Sequence, residues 1–152
     1  MPVKQILPPE AKSLLDSGQN YIYLDVRSTM EFEQGHVPGA LNIPLLQFDI
    51  DRRQLIPNPD FMPVVEAVVA RDARVICACA SGQRSDRAAG LMQQAGYANV
   101  VNMAGGFTGV RDPMGRILVQ GWRDHGLPVS LETGGEQSYA ALVRRAPGDP
   151  AP

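Results

Sequence analysis

The sequence is poor in cysteine and histidine, with two residues of each among its 152. Its two cysteines, Cys77 and Cys79, are separated by one residue, which is too few and too close for a disulfide framework. On a strand such neighbours share a face, but the extended backbone between them disfavours bridging. A reduced, cytoplasmic protein is therefore expected.

Basic residues and long apolar runs are also scarce. Fourteen Lys and Arg stand against sixteen Asp and Glu, so the net charge of -2 offers no basic field for nucleic acid. No apolar run approaches the roughly 18 residues that cross a bilayer, and no membrane association is expected. The N-terminal MPVKQILPPEAKSLL has three prolines and no long apolar core of the kind a signal peptide has, so no signal peptide is expected.

The chain is nevertheless 44% hydrophobic, which suits one globular domain with a real core. Short runs rich in branched and aromatic residues predict strands at 21–26, 40–44, 74–78 and 99–103. Apolar residues at helical spacing predict helices after Pro9, after the N-cap candidate Asp60 and between 85 and 95. This alternation predicts an α/β fold with a central parallel sheet flanked by helices on both faces.

Two further patterns concern local structure. Ser28-Thr29-Met30-Glu31 has the form of a capping box, which opens a short helix. The segment 55–61 is predicted as a turn, 112–122 as a turn or hairpin, and 135–145 as one or two helical turns. The last seven residues, APGDPAP, have the composition of a disordered tail.

The most informative stretch is VICACASGQRS, residues 75–85, where a strand ends at a cysteine. Ligands bind outside the carboxyl ends of parallel strands, and Cys79 lies at such an end. Gly82 lets the backbone curl, so that loop N–H groups and the start of a helix near Ser85 face the sulfur. This arrangement favours a reactive thiolate at Cys79. The competing interpretation, an inert buried thiol, is the one we adopt for Cys77 in the strand interior.

Two segments, LDVRSTMEFEQGHVPGALNIP and VICACASGQRSDRAAGLMQQAGYANVVNMAGGF, resemble the signature regions of the rhodanese family of sulfurtransferases. The resemblance covers residues 3–128, and GWRDHGLPV is similar to the usual end of the domain. It implies the rhodanese fold, and Cys79 as the residue that carries a persulfide. It requires no metal and no organic cofactor.

The resemblance also implies a mechanism in two half-reactions. Cys79 would take the outer sulfur of a small anionic donor such as thiosulfate and pass it to cyanide, a thiol or a thioredoxin-like acceptor. A non-catalytic rhodanese module that binds or regulates a partner is the alternative. A phosphatase or arsenate reductase on the same fold is not expected, because those enzymes use a C-x5-R loop and this one is C-x4-R. Either a monomer or a homodimer is compatible with the sequence.

The resemblance assigns the other site residues by position. The active-site loop and substrate-binding positions are Ala80, Ser81, Gly82, Gln83, Arg84 and Ser85, and the supporting positions are Asp25, Arg27 and Glu31. For the three supporting residues we expect ion pairs and capping rather than chemistry.

Several of these roles have two interpretations. Arg84 would either face the donor's oxygens or pair with Asp86 or a carbonyl. Ser81 and Ser85 would offer hydroxyls to the persulfide or cap the helix, and capping is favoured for Ser85. His36 is expected to be a structural hydrogen-bonding residue, and no Cys–His pair is expected.

The sequence departs from the family pattern in two places. Ala80 stands where many members have a larger or basic residue, so a modest affinity for thiosulfate is expected. The second departure is extra sequence after GGF and after LPV. We therefore divide the chain into a rhodanese-like domain over 1–130, with an insertion at 108–120, and an extension over 131–152. The insertion is either a lid or partner surface, or a hairpin without function.

Overall fold

The computed structural model describes residues 2–145. Its strands are β1 (Lys4–Ile6), β2 (Tyr21–Asp25), β3 (Leu41–Asn42), β4 (Leu46–Asp49), β5 (Gln54–Pro57), β6 (Arg74–Ala78), β7 (Val100–Met103), β8 (Val110–Arg111) and β9 (Ile117–Val119). Its α-helices are α1 (Pro8–Leu15), α2 (Thr29–Glu33), α3 (Phe61–Val68), α4 (Gln83–Gln94) and α5 (Tyr139–Arg145). A 3₁₀ turn covers Arg123–His125.

The central sheet has five strands in the order β1-β7-β6-β2-β3, and each neighbouring pair is parallel. The predicted parallel α/β architecture is therefore confirmed. Asp25 at the end of β2 is in register with Ala78 at the end of β6. Residues that follow these two strands consequently meet at the same edge of the sheet.

Each face of the sheet is buried by a different set of helices, because side chains alternate along a strand. Val75 and Cys77 of β6 belong to the core that α3, α4 and α5 cover. Ile76 and Ala78 belong to the opposite core, which contains Ala11 of α1, Phe32 of α2 and Trp122 among others. Cys79 lies on the same side as Cys77, as the alternation predicts.

Several boundaries differ from the sequence-based expectations. Strand β1 was not predicted, because only its last residue is buried. The predicted turn over 55–61 overlaps β5, which pairs with β4 in an antiparallel hairpin. Asp60 precedes α3, but its side chain makes no capping hydrogen bond. Helix α4 begins at Gln83, two residues earlier than expected.

The C-terminal part of the described chain packs onto the domain. Residues 108–120 contain the antiparallel pair β8 and β9, so this segment is a hairpin. Ser130 forms an isolated antiparallel bridge with His36. The Gln137 carbonyl accepts a hydrogen bond from the backbone N–H of Asn42 at 3.0 Å. Leu142 of α5 is fully buried in the core. The predicted disordered tail, 146–152, lies outside the described residues. Within residues 2–145, no helix combines the length and apolar character of a membrane span.

Candidate active site

Cys79 follows the last residue of β6, and its side chain is only 2% exposed. Its Sγ accepts a hydrogen bond from the Gly82 N–H at 3.1 Å and from the Ser85 N–H at 3.4 Å. The Ser85 hydroxyl oxygen lies 3.4 Å from the same sulfur. The loop amides do turn toward the sulfur, as the sequence pattern predicts.

The loop takes this shape because its carbonyl groups are bound from the opposite side. The Cys79 carbonyl accepts from the Phe107 N–H at 2.8 Å, and the Ala80 carbonyl accepts from both the N–H and the hydroxyl of Thr108 at 2.9 Å. Gly106 permits this approach, since a Cβ there would lie 2.4 Å from the Ala80 carbonyl oxygen. With the carbonyls held outward, N–H groups of the loop face inward.

Gly82 makes the turn from the loop into α4. Its φ of +110° is a conformation that side chains of L-residues disfavour, so glycine is the residue the turn requires. The next residues, Gln83, Arg84 and Ser85, form the first turn of α4. The first N–H groups of a helix have no partner within it, and here the Ser85 N–H serves the sulfur.

Beneath the loop, Ser85 contacts a buried asparagine. The Ser85 hydroxyl lies 2.5 Å from Asn102 Oδ1, and Asn102 Nδ2 donates to the Gly82 carbonyl at 3.1 Å and to Gln5 Oε1 at 2.8 Å. Asn102 is 2% exposed and belongs to β7. These contacts join the loop to the strand beside β6.

Arg84 forms a bidentate ion pair with Glu31. Its Nη1 and Nη2 atoms lie 2.8 and 3.0 Å from the two carboxylate oxygens. Burial raises the pKa of the Glu31 carboxyl, but the hydrogen bonds and charge of Arg84, together with hydrogen bonds from Ser28, outweigh burial and lower it to about 2. The prediction that Arg84 pairs with Asp86 is wrong, because the Asp86 carboxylate accepts a hydrogen bond from Gln5 instead. The pair connects α2 to the start of α4.

Glu31 also completes the capping box that the sequence predicts. The Ser28 side chain accepts from the Glu31 N–H, and the Glu31 side chain accepts from the Ser28 N–H at 3.1 Å. One carboxylate therefore orders the start of α2 and binds Arg84. Ser28 lies three residues beyond the end of β2, at the same sheet edge as Cys79.

Asp25 and Arg27 form a second, more deeply buried pair. The Arg27 Nη2 atom lies 2.8 Å from Asp25 Oδ2 and 2.8 Å from the Gly35 carbonyl oxygen. Its guanidinium lies 4.5 Å from the centre of the Phe107 ring. Burial lowers the pKa of the guanidinium, but the charge and hydrogen bonds of Asp25 outweigh burial and raise it. The contacts of both residues are those of a structural ion pair.

The side chains of the remaining predicted residues lie outside the set of donors to the Cys79 sulfur. Within residues 2–145, the side chains of Ser81 and Gln83 make no hydrogen bond with Cys79, and neither histidine does. His36 stacks on Phe32, and its Nδ1 lies 2.7 Å from the Phe32 carbonyl oxygen. The described residues contain no group of three or more His, Cys, Asp or Glu that could hold a metal.

Three contacts at the site were not predicted: Glu31 with Arg84, Asn102 with the loop, and Gly106 beneath Ala80. The first joins residues 53 apart in the chain, which no local pattern reveals. The other two had a signal. An asparagine in the otherwise apolar run VVNM and the glycine pair that follows it are both unusual in a buried strand and its end.

Comparison with known proteins agrees with this geometry. Residues 7–112 match the family described as the Rhodanese-like domain. The chain is 43% identical over 98 residues to "Protein HIGH ARSENIC CONTENT 1, mitochondrial" from Arabidopsis thaliana, an alignment that covers 64% of this chain and 56% of that protein. The chain thus spans little more than half the length of this relative.

Two further similarities extend over more of the protein that is compared. The chain is 33% identical over 118 residues to "Thiosulfate sulfurtransferase 16, chloroplastic" from A. thaliana, with 78% of this chain and 85% of that protein covered. Among solved structures, the crystal structure of Rv0390 from M. tuberculosis superposes with a TM-score of 0.72 at 25% identity, covering 87% of this chain and all of that one.

Proposed function

We propose that this chain, which belongs to the rhodanese-like domain family, is a sulfurtransferase that carries a sulfane sulfur on Cys79 as a persulfide. The proposed donor is thiosulfate or another persulfide, and the proposed acceptor is cyanide or a thiol, including the thiol of a thioredoxin-like protein. The family membership and the relative named as a thiosulfate sulfurtransferase support the reaction class.

The observation that carries the proposal is the set of donors at the Cys79 sulfur. Two backbone N–H groups, from Gly82 and Ser85, point at an atom that is almost completely enclosed. Hydrogen bonds to an anion are stronger than those between neutral groups, and donors fixed in advance need no reorganisation. Both donors therefore stabilise the thiolate from which sulfur transfer starts and to which Cys79 returns.

The first half-reaction forms one S–S bond and breaks another. The Cys79 thiolate attacks the outer sulfur of thiosulfate, and the original S–S bond breaks with its electron pair on the departing sulfite. Cys79 then carries a terminal sulfur with one negative charge. In the second half-reaction a thiolate or cyanide attacks that terminal sulfur, and Cys79 leaves as the thiolate again. No oxidant or reductant is consumed in either step with cyanide as acceptor.

Arg84 is the proposed contact for the oxygens of thiosulfate. Its pair with Glu31 uses two of the five N–H bonds of the guanidinium, so others remain for an anion. Its side chain is 18% exposed, which supports access from the mouth of the loop. Ala80 adds no further charge, and we therefore expect only modest affinity for the dianionic donor.

The size of the loop gives the test of the reaction class. The purified chain is assayed for thiocyanate formation from thiosulfate and cyanide, and in parallel for hydrolysis of p-nitrophenyl phosphate and reduction of arsenate with a thiol. We expect sulfur transfer, and no turnover of either tetrahedral oxyanion, because a C-x4-R loop leaves less room than C-x5-R. The arsenate arm is included because one relative's name refers to arsenic.

Each result has a defined meaning. Phosphate or arsenate turnover that matches or exceeds sulfur transfer would replace the proposed reaction. A folded protein that transfers no sulfur from thiosulfate or from an organic persulfide would instead support the non-catalytic module.

A further inference from the structure

Asn102 is a buried amide placed between the two residues that serve the Cys79 sulfur. It lies on β7, opposite Cys77 in the neighbouring strand, and is 2% exposed. Its orientation is determined by its partners, because the Gly82 carbonyl oxygen can only accept and must face the NH₂ group. The amide oxygen therefore faces the Ser85 hydroxyl at 2.5 Å.

We propose that Asn102 is a positioning residue, which holds the loop in the form that binds the sulfur anion; this inference rests on the proposed function of Cys79. The two residues whose N–H groups reach Cys79 Sγ are Gly82 and Ser85, and these are the two that Asn102 binds. One side chain thus restrains both donors from the side away from the sulfur.

The restraint on Gly82 acts through its backbone. Its N–H points at Cys79 Sγ and its carbonyl at Asn102 Nδ2, so the residue is held at both ends. Glycine loses more conformational freedom than any other residue when it is ordered, and the Gly82 carbonyl is held both by Asn102 and by the Asp86 N–H of α4 at 3.1 Å. Without the Asn102 donor, this carbonyl keeps only contacts from α4, and the Gly82 N–H loses its restraint from β7.

The restraint on Ser85 acts through its single hydroxyl proton. Three acceptors lie within reach: Asn102 Oδ1 at 2.5 Å, the Gly82 carbonyl at 3.2 Å and Cys79 Sγ at 3.4 Å. The hydroxyl can donate to only one of them, and the shortest distance is to Asn102. Asn102 therefore fixes the Ser85 rotamer and, through this side chain, ties the first turn of α4, which carries the Ser85 N–H, to β7.

Gln5 holds Asn102 in turn. Its side-chain oxygen accepts from Asn102 Nδ2 at 2.8 Å, and its NH₂ group donates to Asp86 Oδ1 on α4 at 2.8 Å. The contacts form a closed circuit through β1, β7 and α4. Gln5 and Asp86 are exposed, whereas Asn102 and Ser85 at the centre of the circuit are buried. Buried polar groups that are satisfied specify one geometry, which is the property that an anion-binding loop needs.

The first test replaces Asn102 by alanine, with Asn99→Ala as the matched control. Asn99 precedes the same strand, but it is exposed and its side chain binds only the Asp72 carbonyl. In single-turnover experiments we expect Asn102→Ala to form the persulfide about 10- to 100-fold more slowly, with the Michaelis constant for thiosulfate changed less than about twofold. The split arises because Asn102 aligns the donors to sulfur and does not touch the substrate.

Amide hydrogen exchange measures the restraint without any sulfur chemistry. In Asn102→Ala, exchange at Gly82 and Ser85 should accelerate about tenfold or more, while amides of β6 exchange as in wild type. Unchanged exchange and rate, or acceleration shared equally by β6, would show that Asn102 serves only general stability. If wild type takes no sulfur from thiosulfate, the proposed function fails, and the exchange pattern still decides whether Asn102 restrains the loop.

The second test, Asn102→Asp, preserves shape and remains informative if the alanine variant does not fold. An ionised carboxylate would turn oxygens toward both Ser85 and the Gly82 carbonyl, whereas the protonated acid again supplies a donor. Burial raises the pKa of such a carboxyl, and the titratable groups on the elements packed around it are Cys77 on β6, Cys79 just beyond β6 and Asp86 on α4. We expect the ratio of variant to wild-type persulfide formation to rise about tenfold as pH falls from about 8 to 5.5. A ratio independent of pH would contradict the assigned donor role.

Discussion

Cys77 and Cys79 are separated by one residue and lie on the same side of the sheet, yet their surroundings differ completely. Cys77 is fully buried inside β6, and its Sγ lies 3.7 Å from Met92 Sδ. Burial, with a smaller contribution from Cys79, raises the pKa of the Cys77 thiol well above its ordinary value. Cys79 lies one residue beyond the strand, among donors from Gly82 and Ser85.

The difference shows what the end of a strand contributes. Inside β6 the backbone N–H groups are used by the sheet, and within the described residues the Cys77 sulfur makes only a weak contact with Met92 Sδ. Past the strand end the chain is free to curl, and its N–H groups turn toward one atom. Residue type and facing direction are equal for the two cysteines, and position along the strand alone separates them.

The largest expected effect comes from exchanging each sulfur for oxygen. Cys79→Ser should abolish thiosulfate turnover, because a serine hydroxyl forms no persulfide, whereas Cys77→Ser should retain activity within about threefold of wild type. Intact-mass spectra after thiosulfate treatment should show one added sulfur on wild type and on Cys77→Ser, and none on Cys79→Ser. An added sulfur that persists in Cys79→Ser and disappears in Cys77→Ser would reverse the assignment.

The next largest effect concerns the positive charge of Arg84, which follows Cys79 in the active-site loop. Arg84→Gln should raise the Michaelis constant for thiosulfate about 10- to 100-fold, since a lost charge-assisted contact is worth about 1.5–3 kcal/mol. Steady-state kinetics across thiosulfate concentrations measures it.

Glu31→Gln is the control for Arg84→Gln, because it weakens the same ion pair and leaves the guanidinium in place. If Arg84 contacts the donor, Glu31→Gln should lower the Michaelis constant, since a carboxylate no longer competes for the guanidinium. Equal increases in both variants would show that the pair serves the fold and not the substrate.

Much of the frame around both cysteines could be predicted from sequence. Strand β6 has the predicted bounds, Arg74–Ala78, because a short apolar run between charged and glycine-containing segments is a strong local signal. The capping box at Ser28 and Glu31 is equally local, since its two partners are three residues apart. Strand β1 and the β4–β5 hairpin escaped prediction because most of their residues are not buried and so show no apolar pattern.

The side-chain contacts at the site were less predictable, for a physical reason. The sequence offered Asp86 or a carbonyl as the local partner of Arg84, but Glu31 binds it from a different helix. Which carboxylate wins depends on how α2 and α4 approach across the sheet edge, and that is a property of the assembled fold. The same holds for Asn102, whose partner Gln5 is 97 residues away in the chain.

The third prediction uses stability as the readout. Here the substitution of Cys77 is expected to have the larger effect, whereas for activity it is that of Cys79. Cys77→Ser buries a hydroxyl among apolar groups and should lower the free energy of unfolding by about 1–3 kcal/mol. Cys79→Ser should cost less than about 1 kcal/mol, because the Gly82 N–H remains a donor to the new hydroxyl. Urea unfolding of both variants measures the difference. Equal losses would mean that the loop offers serine no better partners than the strand does.

The smallest expected effect comes from Glu31, and it depends on pH. The pKa of its carboxyl is about 2 in the folded protein and 4.5 as the reference value, so the unfolded chain binds the proton first as pH falls. The stabilisation is therefore complete above about pH 5 and is lost progressively between pH 4.5 and 2. With 32% of the side chain exposed, solvent screens the pair, and we expect Glu31→Gln to cost only about 1–2 kcal/mol at pH 7. Urea unfolding at pH 7 and pH 3 should show the gap between wild type and variant narrowing at the lower pH. A gap that stays constant would mean that the carboxylate charge contributes nothing to the link between α2 and α4, and that shape and neutral hydrogen bonds alone hold Arg84 beside the Cys79 loop.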